Sequence, residues 1–258
     1  MNQLCVGNAD FTEHFLQTPE PFILIDDGPI AAVFLKTFPD ASVFSPRNNS
    51  FNPLSGIDYK RARDFASILY TAAPEGKDTL TVRNGRRALA RLVLNSSRLD
   101  RVYANETDPG EVEALATIKD ALFSPTLKRV LCPRTRDFPF KGSVIAKIDR
   151  AELGDTDAFL LALLLIQQHK GQVIVPDFGF YGRDFHMSLI RQNRLTAGVH
   201  FLDELSPKLQ KAMLLIKDKQ YGQCTWEDAE VLALYKGLQP HTTSHTEFLQ
   251  RATEWTHT

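Results

Sequence analysis

The amino-acid sequence predicts an α/β fold with a mostly parallel sheet, interrupted by a helical insertion. Three observations carry this expectation. The runs Phe22-Ile23-Leu24-Ile25 and Val173-Ile174-Val175 are continuously apolar, as strands covered on both faces of a parallel sheet are. Strand and helix patterns alternate up to Phe44 and resume at Val144. Between those stretches the apolar residues recur at helical spacing.

Taken in order, Leu4-Cys5-Val6 forms a short strand that runs into Gly7 and a short helix. Phe22 to Ile25 ends in Asp26 and Asp27, and Gly28-Pro29 turns the chain. Ala31 to Phe38 has helical spacing, Pro39 stops it, and Ala41 to Phe44 makes a third strand. From Asp58 to about Ser97 two helices are expected. Ala62, Phe65, Ala66 and Leu69 form one face, Leu80, Ala88, Leu89, Leu92 and Val93 the other, with Pro74-Glu75-Gly76 as the break. Glu111 to Phe123 follows behind Asp108-Pro109, and Pro125 opens a turn through Leu127, Val130 and Leu131. Val144 to Asp149 resumes the strands, then come a helix from about Gly154 to Gln168 and a strand from Val173 to Asp177. Pro176 suits the end of that strand. Helix, strand and helix continue through Leu189, Val199 and Leu209. A tail carries Ala229, Val231, Leu232 and Leu234, a Pro240 to Ser244 linker and a last helix. The expected organisation is an α/β domain over 1–220 with its insertion at about 58–132, and a helical tail over 221–258.

Composition narrows the class. With 258 residues, 43% hydrophobic and 24% charged, the chain is long enough to bury a core unaided. A formal net charge of -1 gives no global field toward nucleic acid or an anionic membrane, so any basic site must be local. Cys5, Cys132 and Cys224 are odd in number and far apart, which argues against a disulfide framework or structural zinc and for a reducing setting. No basic start followed by an apolar run marks a signal peptide. The most apolar segment, Ala158 to Ile166, is shorter than the roughly 20 residues that span a bilayer, so no membrane insertion is expected.

The strand-glycine-helix opening has the order of a phosphate-binding loop, G-x-x-x-x-G-K-[ST]. There, backbone N–H groups and a helix N-terminus cradle phosphates, lysine neutralises them and a hydroxyl holds magnesium. Gly7, Asn8, Ala9, Asp10, Phe11 and Thr12 would be that loop. Glu13 occupies the lysine position and His14 the hydroxyl position. At an effective dielectric near 20, like and unlike unit charges about 4 Å apart differ by roughly 8 kcal/mol before screening. A triphosphate would thus meet repulsion where it needs attraction.

Phe51-Asn52-Pro53-Leu54 arrives just after the third strand, and in that order of elements the chain resembles the HerA/FtsK and conjugative coupling-protein branch of RecA-like P-loop ATPases, over residues 4 to about 216. The resemblance implies a three-layer RecA-like fold in which Ile25-Asp26 ends the strand after the loop helix and Asn-Pro-Leu enters a helical insertion. It places Asp177 as the Walker B-like aspartate and Ala197-Gly198-Val199-His200-Phe201-Leu202 as the sensor strand. The departures concern catalysis. Glu13 stands for the lysine, Phe178 for the glutamate that polarises water, and His200 is nearest to the sensor glutamine. Phosphoryl transfer depends on placed positive charge and an oriented water, so these losses together imply a degenerate ATPase without hydrolysis. Nucleotide is not expected as a cofactor. The expected role is a structural or interaction subunit of a DNA-handling or viral assembly, cytoplasmic or virion-associated, with self-association or protein partners and DNA as a further partner.

Two other readings stay open. Asp26, Asp149 and Asp177 are expected at the carboxyl ends of strands, the ligand edge of open α/β sheets, and could converge on magnesium in an enzyme such as a nuclease. They could equally cap helices and make turns. A divergent active ATPase would instead touch nucleotide through Asn8 to Thr12. Outside that edge, Arg83, Arg86, Arg87 and Arg91 share one helical face, which could pair with nucleic-acid phosphates or be a solvated surface; interleaved aromatics for stacking are missing there. Gly179 to His186 could be a binding loop or a tight turn whose Phe residues plug the core, with Arg183 a candidate finger toward a neighbouring subunit. His241 and His245 are four apart, but Pro240, Thr242 and Thr243 suggest a solvated linker rather than zinc ligands. No G-x-S-x-G elbow and no G-x-G-x-x-G fingerprint occurs.

Overall fold

The computed structural model describes residues 2–71, 79–133 and 137–253. Pro74-Glu75-Gly76 and the Leu80 side chain lie outside the described residues. The chain begins β1 (Gln3–Val6), α1 (Thr12–Leu16), β2 (Phe22–Ile25), α2 (Pro29–Thr37) and β3 (Ser42–Phe44). Four helices follow: α3 (Tyr59–Thr71), α4 (Thr79–Leu94), α5 (Pro109–Ala121) and α6 (Pro125–Leu131). Then come β4 (Val144–Ala146), α7 (Arg150–Leu153), α8 (Asp155–Gln168), β5 (Gln172–Val175), α9 (Phe178–Tyr181) and α10 (Met187–Arg191). The last elements are β6 (Leu195–Val199), α11 (Pro207–Leu214), β7 (Asp218–Tyr221), α12 (Trp226–Tyr235) and α13 (Thr243–Thr253). Among the described residues no helix is long and apolar enough to cross a membrane.

The chain forms two compact units, one from Met1–Asp40 with Gly171–Thr258 and one from Ala41–Lys170. In the first, five parallel strands lie in the order β2-β5-β6-β1-β7. All of β1 and β2 is buried, as apolar Leu4 to Val6 and Phe22 to Ile25 require, and buried Gln3 accepts from the Thr18 and Thr196 hydroxyls. The register is fixed by pairs such as Leu4 with Ala197 and Leu24 with Ile174. Phe22 from β2 packs edge-on against Phe34 of α2 and against Phe38, with ring centroids 5.4 and 4.9 Å apart. Gly28 and Pro29 start α2, the proline losing nothing because its missing N–H would have had no helical partner. The strand β7 is not legible in the sequence: Asp218-Lys219-Gln220-Tyr221 is polar and, among the described residues, pairs only with β1, so no apolar alternation announces it.

In the second unit β3 and β4 pair in parallel, Ser42 against Val144 and Phe44 against Ala146. Phe44, Phe51, Phe138 and Phe140 form an aromatic cluster with centroids 5.2 to 5.8 Å apart. The Phe51-Asn52-Pro53-Leu54 phrase ties that core together. Asn52 Oδ1 accepts the Leu54 N–H at 3.1 Å, Asn52 Nδ2 donates to the Ser97 carbonyl, and the Pro53 carbonyl accepts from Gln168 at 3.1 Å. The helix α8 is buried continuously from Ala158 to Ile166, a helix apolar on all sides and hence internal. Asp108 and Ser124 cap α5 and α6, each followed by proline.

Phe22→Ala should remove both edge-on ring contacts and leave a cavity. The expected cost is about 3–5 kcal/mol of stability, read as a lower urea midpoint at unchanged m-value.

Candidate functional site

The loop after β1 is the segment that the sequence resemblance sets as a phosphate-binding loop, and the N–H groups of Gly7, Asn8 and Thr12 are engaged within the chain. The Gly7 N–H donates to the Val199 carbonyl of β6 at 3.0 Å. Asn8 and Gln223 exchange both backbone bonds, at 2.9 and 3.2 Å, in an isolated antiparallel bridge. The Gly222 N–H reaches the Val6 carbonyl at 2.7 Å. Gly7 has φ +94, and a Cβ there would lie 2.7 Å from the Gln223 carbonyl oxygen, so only glycine suits the crossing. Gly222 faces the same crossing, with an added Cβ 2.7 Å from that of Ala9. Residues 222–224 therefore close over Gly7 and Asn8, and Cys224 is tied in turn to the Ala252 carbonyl of α13 at 2.8 Å.

The remainder of the loop carries negative charge into a short helix. The Asp10 carboxylate accepts the Thr12 N–H at 2.9 Å, and hydrogen bonds from the Thr12 side chain and backbone hold it below the ordinary carboxylate range. Glu13 is exposed in the first turn of α1. Both acids suit the positive end of a helix and oppose a phosphate there.

Asp26 and Asp177 follow β2 and β5, neighbouring strands of the first unit. Asp26 Oδ2 accepts from Gly28 at 3.0 Å and from Ala31 at 2.7 Å, so this carboxylate caps α2. Its pKa is raised, chiefly by burial and further by the charges of Asp27 and Asp177, while the two N–H bonds oppose the rise. Asp177 caps α9 through Phe180 at 3.4 Å. Asp149 belongs to the second unit and caps α7 through Ala151 at 2.9 Å and Glu152 at 3.2 Å. Each of the three is a helix cap, and a metal would compete with those bonds. Among the described residues no group of three or more His, Cys, Asp or Glu side chains could hold a metal ion.

Gly179 to His186 forms short helical turns in which Phe180 and Phe185 are half-buried, so the Phe rings of that stretch do not fill the core as the turn alternative expected. Phe178 and Tyr181 are buried in α9, and Phe178 meets the His186 ring at 5.6 Å between centroids. The half-buried Arg183 folds onto its own turn, its guanidinium donating to the carbonyls of Phe180 at 3.0 Å and Gly182 at 2.6 Å. His186 Nδ1 accepts the Arg183 N–H at 3.0 Å. Burial, and then the Arg183 charge, push the His186 pKa down to about 3. The expected sensor strand stops at Val199, leaving His200 exposed beyond β6. The histidine pair also departs from a solvated linker: His241 is exposed with φ 62, but His245 is buried in α13.

Within the second unit the arginine stripe lies along a groove between α3 and α4, with a cavity volume of about 1130 Å³. Arg83, Arg86, Arg87 and Arg91 line it from α4, and Tyr59 and Arg63 from α3. Among the described residues no acid lines it. Arg91 pairs with Asp108 at 3.4 Å and Glu111 at 3.7 Å. The Arg63 guanidinium lies 5.9 Å from the centre of the Tyr59 ring, which is 64% exposed. Tyr59 and Arg63 share a face by their four-residue spacing, yet only the packing of α3 on α4 reveals that this face borders the stripe.

Comparison of the whole chain with solved structures finds the same architecture in VirB4 of Thermoanaerobacter pseudethanolicus, with a TM-score of 0.55, 10% identity, and 92% of this chain and 81% of that chain covered. The bacterial conjugative coupling protein TrwBΔN70 in an unbound form gives 0.58 at 11% identity, with 90% of this chain and 71% of that chain covered. The plasmid coupling protein TrwB in complex with the non-hydrolysable ATP analogue ADPNP gives 0.53 at 12% identity, with 90% and 73% covered. The fold is thus the RecA-like P-loop fold of these proteins. No protein-family model and no curated protein matches the sequence.

Gly7→Ala should strain the positive φ and collide with the Gln223 carbonyl, lowering stability by more than about 1 kcal/mol in a urea titration. His186 supplies a pH dependence. Between about pH 3 and its ordinary value near 6.5, the unfolded chain takes up a proton that the folded chain refuses. Its contribution is therefore complete above that window and is lost as the pH falls through it. The stability difference between wild type and His186→Gln should shrink on acidification from pH 6.5, by up to about 1.4 kcal/mol per pH unit.

Proposed function

We propose that this chain is a RecA-like relative of conjugative DNA-transport ATPases whose nucleotide cradle has become a structural clasp, and that it works as a non-hydrolysing structural or interaction subunit of a DNA-handling or viral assembly. The supporting observation is the paired hydrogen bonding of Asn8 with Gln223 beside the Gly7 to Val199 bond. A phosphate cradle needs backbone N–H groups directed at the anion. Here the first two loop donors point at carbonyls of the same chain. Asp10 and Glu13 add negative charge where a triphosphate needs the opposite, and the buried Phe178 can neither polarise water nor accept its proton. The first loop residues thus fit a fold-holding role better than a nucleotide.

Binding of a fluorescent ATP analogue with magnesium should be undetectable in the wild type. It should stay so in Glu13→Lys, since restoring the cation does not free the N–H groups of Gly7 and Asn8. Saturable binding by the wild type, or magnesium-dependent ATP turnover, would overturn the proposal. DNA cleavage with magnesium that disappears in Asp177→Ala would replace it with the nuclease reading.

A further inference from the structure

We propose that the α3–α4 groove is a binding site for a single nucleic-acid strand, held by guanidinium contacts to its phosphates and by a base stacked on Tyr59. The groove lies wholly within the second unit, and this site stands whether or not the loop after β1 holds nucleotide.

Charge is the first ground. The chain as a whole carries a formal charge of -1, yet five arginines and, among the described residues, no acid line this one groove. Arg91 is tied to carboxylates, while among the described residues no ion pair engages Arg63, Arg83, Arg86 or Arg87. Arg86 Nε finds no hydrogen-bond partner among the described residues, although it is shielded from solvent. Arg63 is partly offset by the neighbouring Asp64 carboxylate, but leaving Arg83, Arg86 and Arg87 without an ion pair costs self-repulsion, which an anionic ligand would relieve. Arginine presents a planar fork of donors that suits phosphate oxygens.

Spacing is the second. Arg83, Arg87 and Arg91 recur every four residues on α4, so they are about 6 Å apart along the helix, a ladder suited to a linear polyanion rather than to one small anion. A base can stack on Tyr59 only when it is unpaired, so the site favours a single strand over a duplex.

The aromatic at the mouth decides between nucleic acid and an acidic peptide. The ring of Tyr59 is mostly exposed, and Arg63 lies against it. An exposed ring beside a basic track is the arrangement on which bases stack, whereas a carboxylate chain has no use for it. The sequence shows the arginines without the aromatic, because the ring comes from the neighbouring helix.

The test is fluorescence anisotropy with a labelled oligothymidylate, without nucleotide, across a salt series. Wild type should bind, with a log–log salt slope of about −3 for some four neutralised phosphates. Arg83→Gln with Arg87→Gln should weaken binding tenfold or more and flatten the slope. The same pair changed to Lys should keep the slope, which separates lost charge from lost folding. Tyr59→Leu should weaken binding about fivefold or more with the slope unchanged. The proposal is overturned if wild type fails to bind at about 50 mM salt, if the Gln pair binds as wild type does, if a duplex of equal length binds as tightly, or if a polyglutamate peptide displaces the strand at equal charge concentration.

Discussion

Asn8 and Gln223 exchanging backbone hydrogen bonds is the interaction on which the first unit turns. A single such bond contributes a net of about 1 kcal/mol, so the energy of the pair alone is modest. Its leverage comes from connection. The bridge joins the loop after β1 to the segment after β7, that segment hangs from α13 through Cys224, and Gly7 is bonded on its other side to β6. Any ligand that took the N–H groups of Gly7 and Asn8 would unfasten a strand edge and the packing behind it. Gly7 is required for a close approach to the Gln223 carbonyl, the kind of approach that phosphate loops make to an anion.

The three aspartates at strand ends show how one residue type serves two readings. Asp26, Asp149 and Asp177 stand where ligand-binding acids stand in open α/β sheets, and each also accepts N–H groups at the start of a helix. A strand leading directly into a helix needs a cap at that same point. The carboxyl edge therefore accumulates acids for local reasons before function is considered.

Much of the fold could be read in advance. Phe22 to Ile25 and Val173 to Val175 are apolar without interruption because β2 and β5 are buried, and Gly28-Pro29, Asp108-Pro109 and Ser124-Pro125 mark helix starts because capping chemistry is local. What escaped depends on distant parts of the chain. The strand β7 is polar and half-covered, so it shows no pattern until β1 is beside it. The clasp pairs Asn8 with Gln223, residues that no local periodicity connects. Tyr59 becomes part of the arginine groove only through the packing of α3 on α4. Phe178 is the reverse case: the resemblance sets it at a position where an acid is expected, but its burial against His186 shows only in the structure.

The exposed side of β7 bears on how copies of this chain could meet. Among the described residues this strand bonds to β1 alone, and its four residues include the half-buried Asp218 and Lys219 and the exposed Gln220. Brief, charged margins of this kind discourage a sheet from growing by accretion of further strands. Contacts between molecules would then fall to side-chain surfaces, where specificity can be set residue by residue instead of by the indiscriminate pairing of main chains.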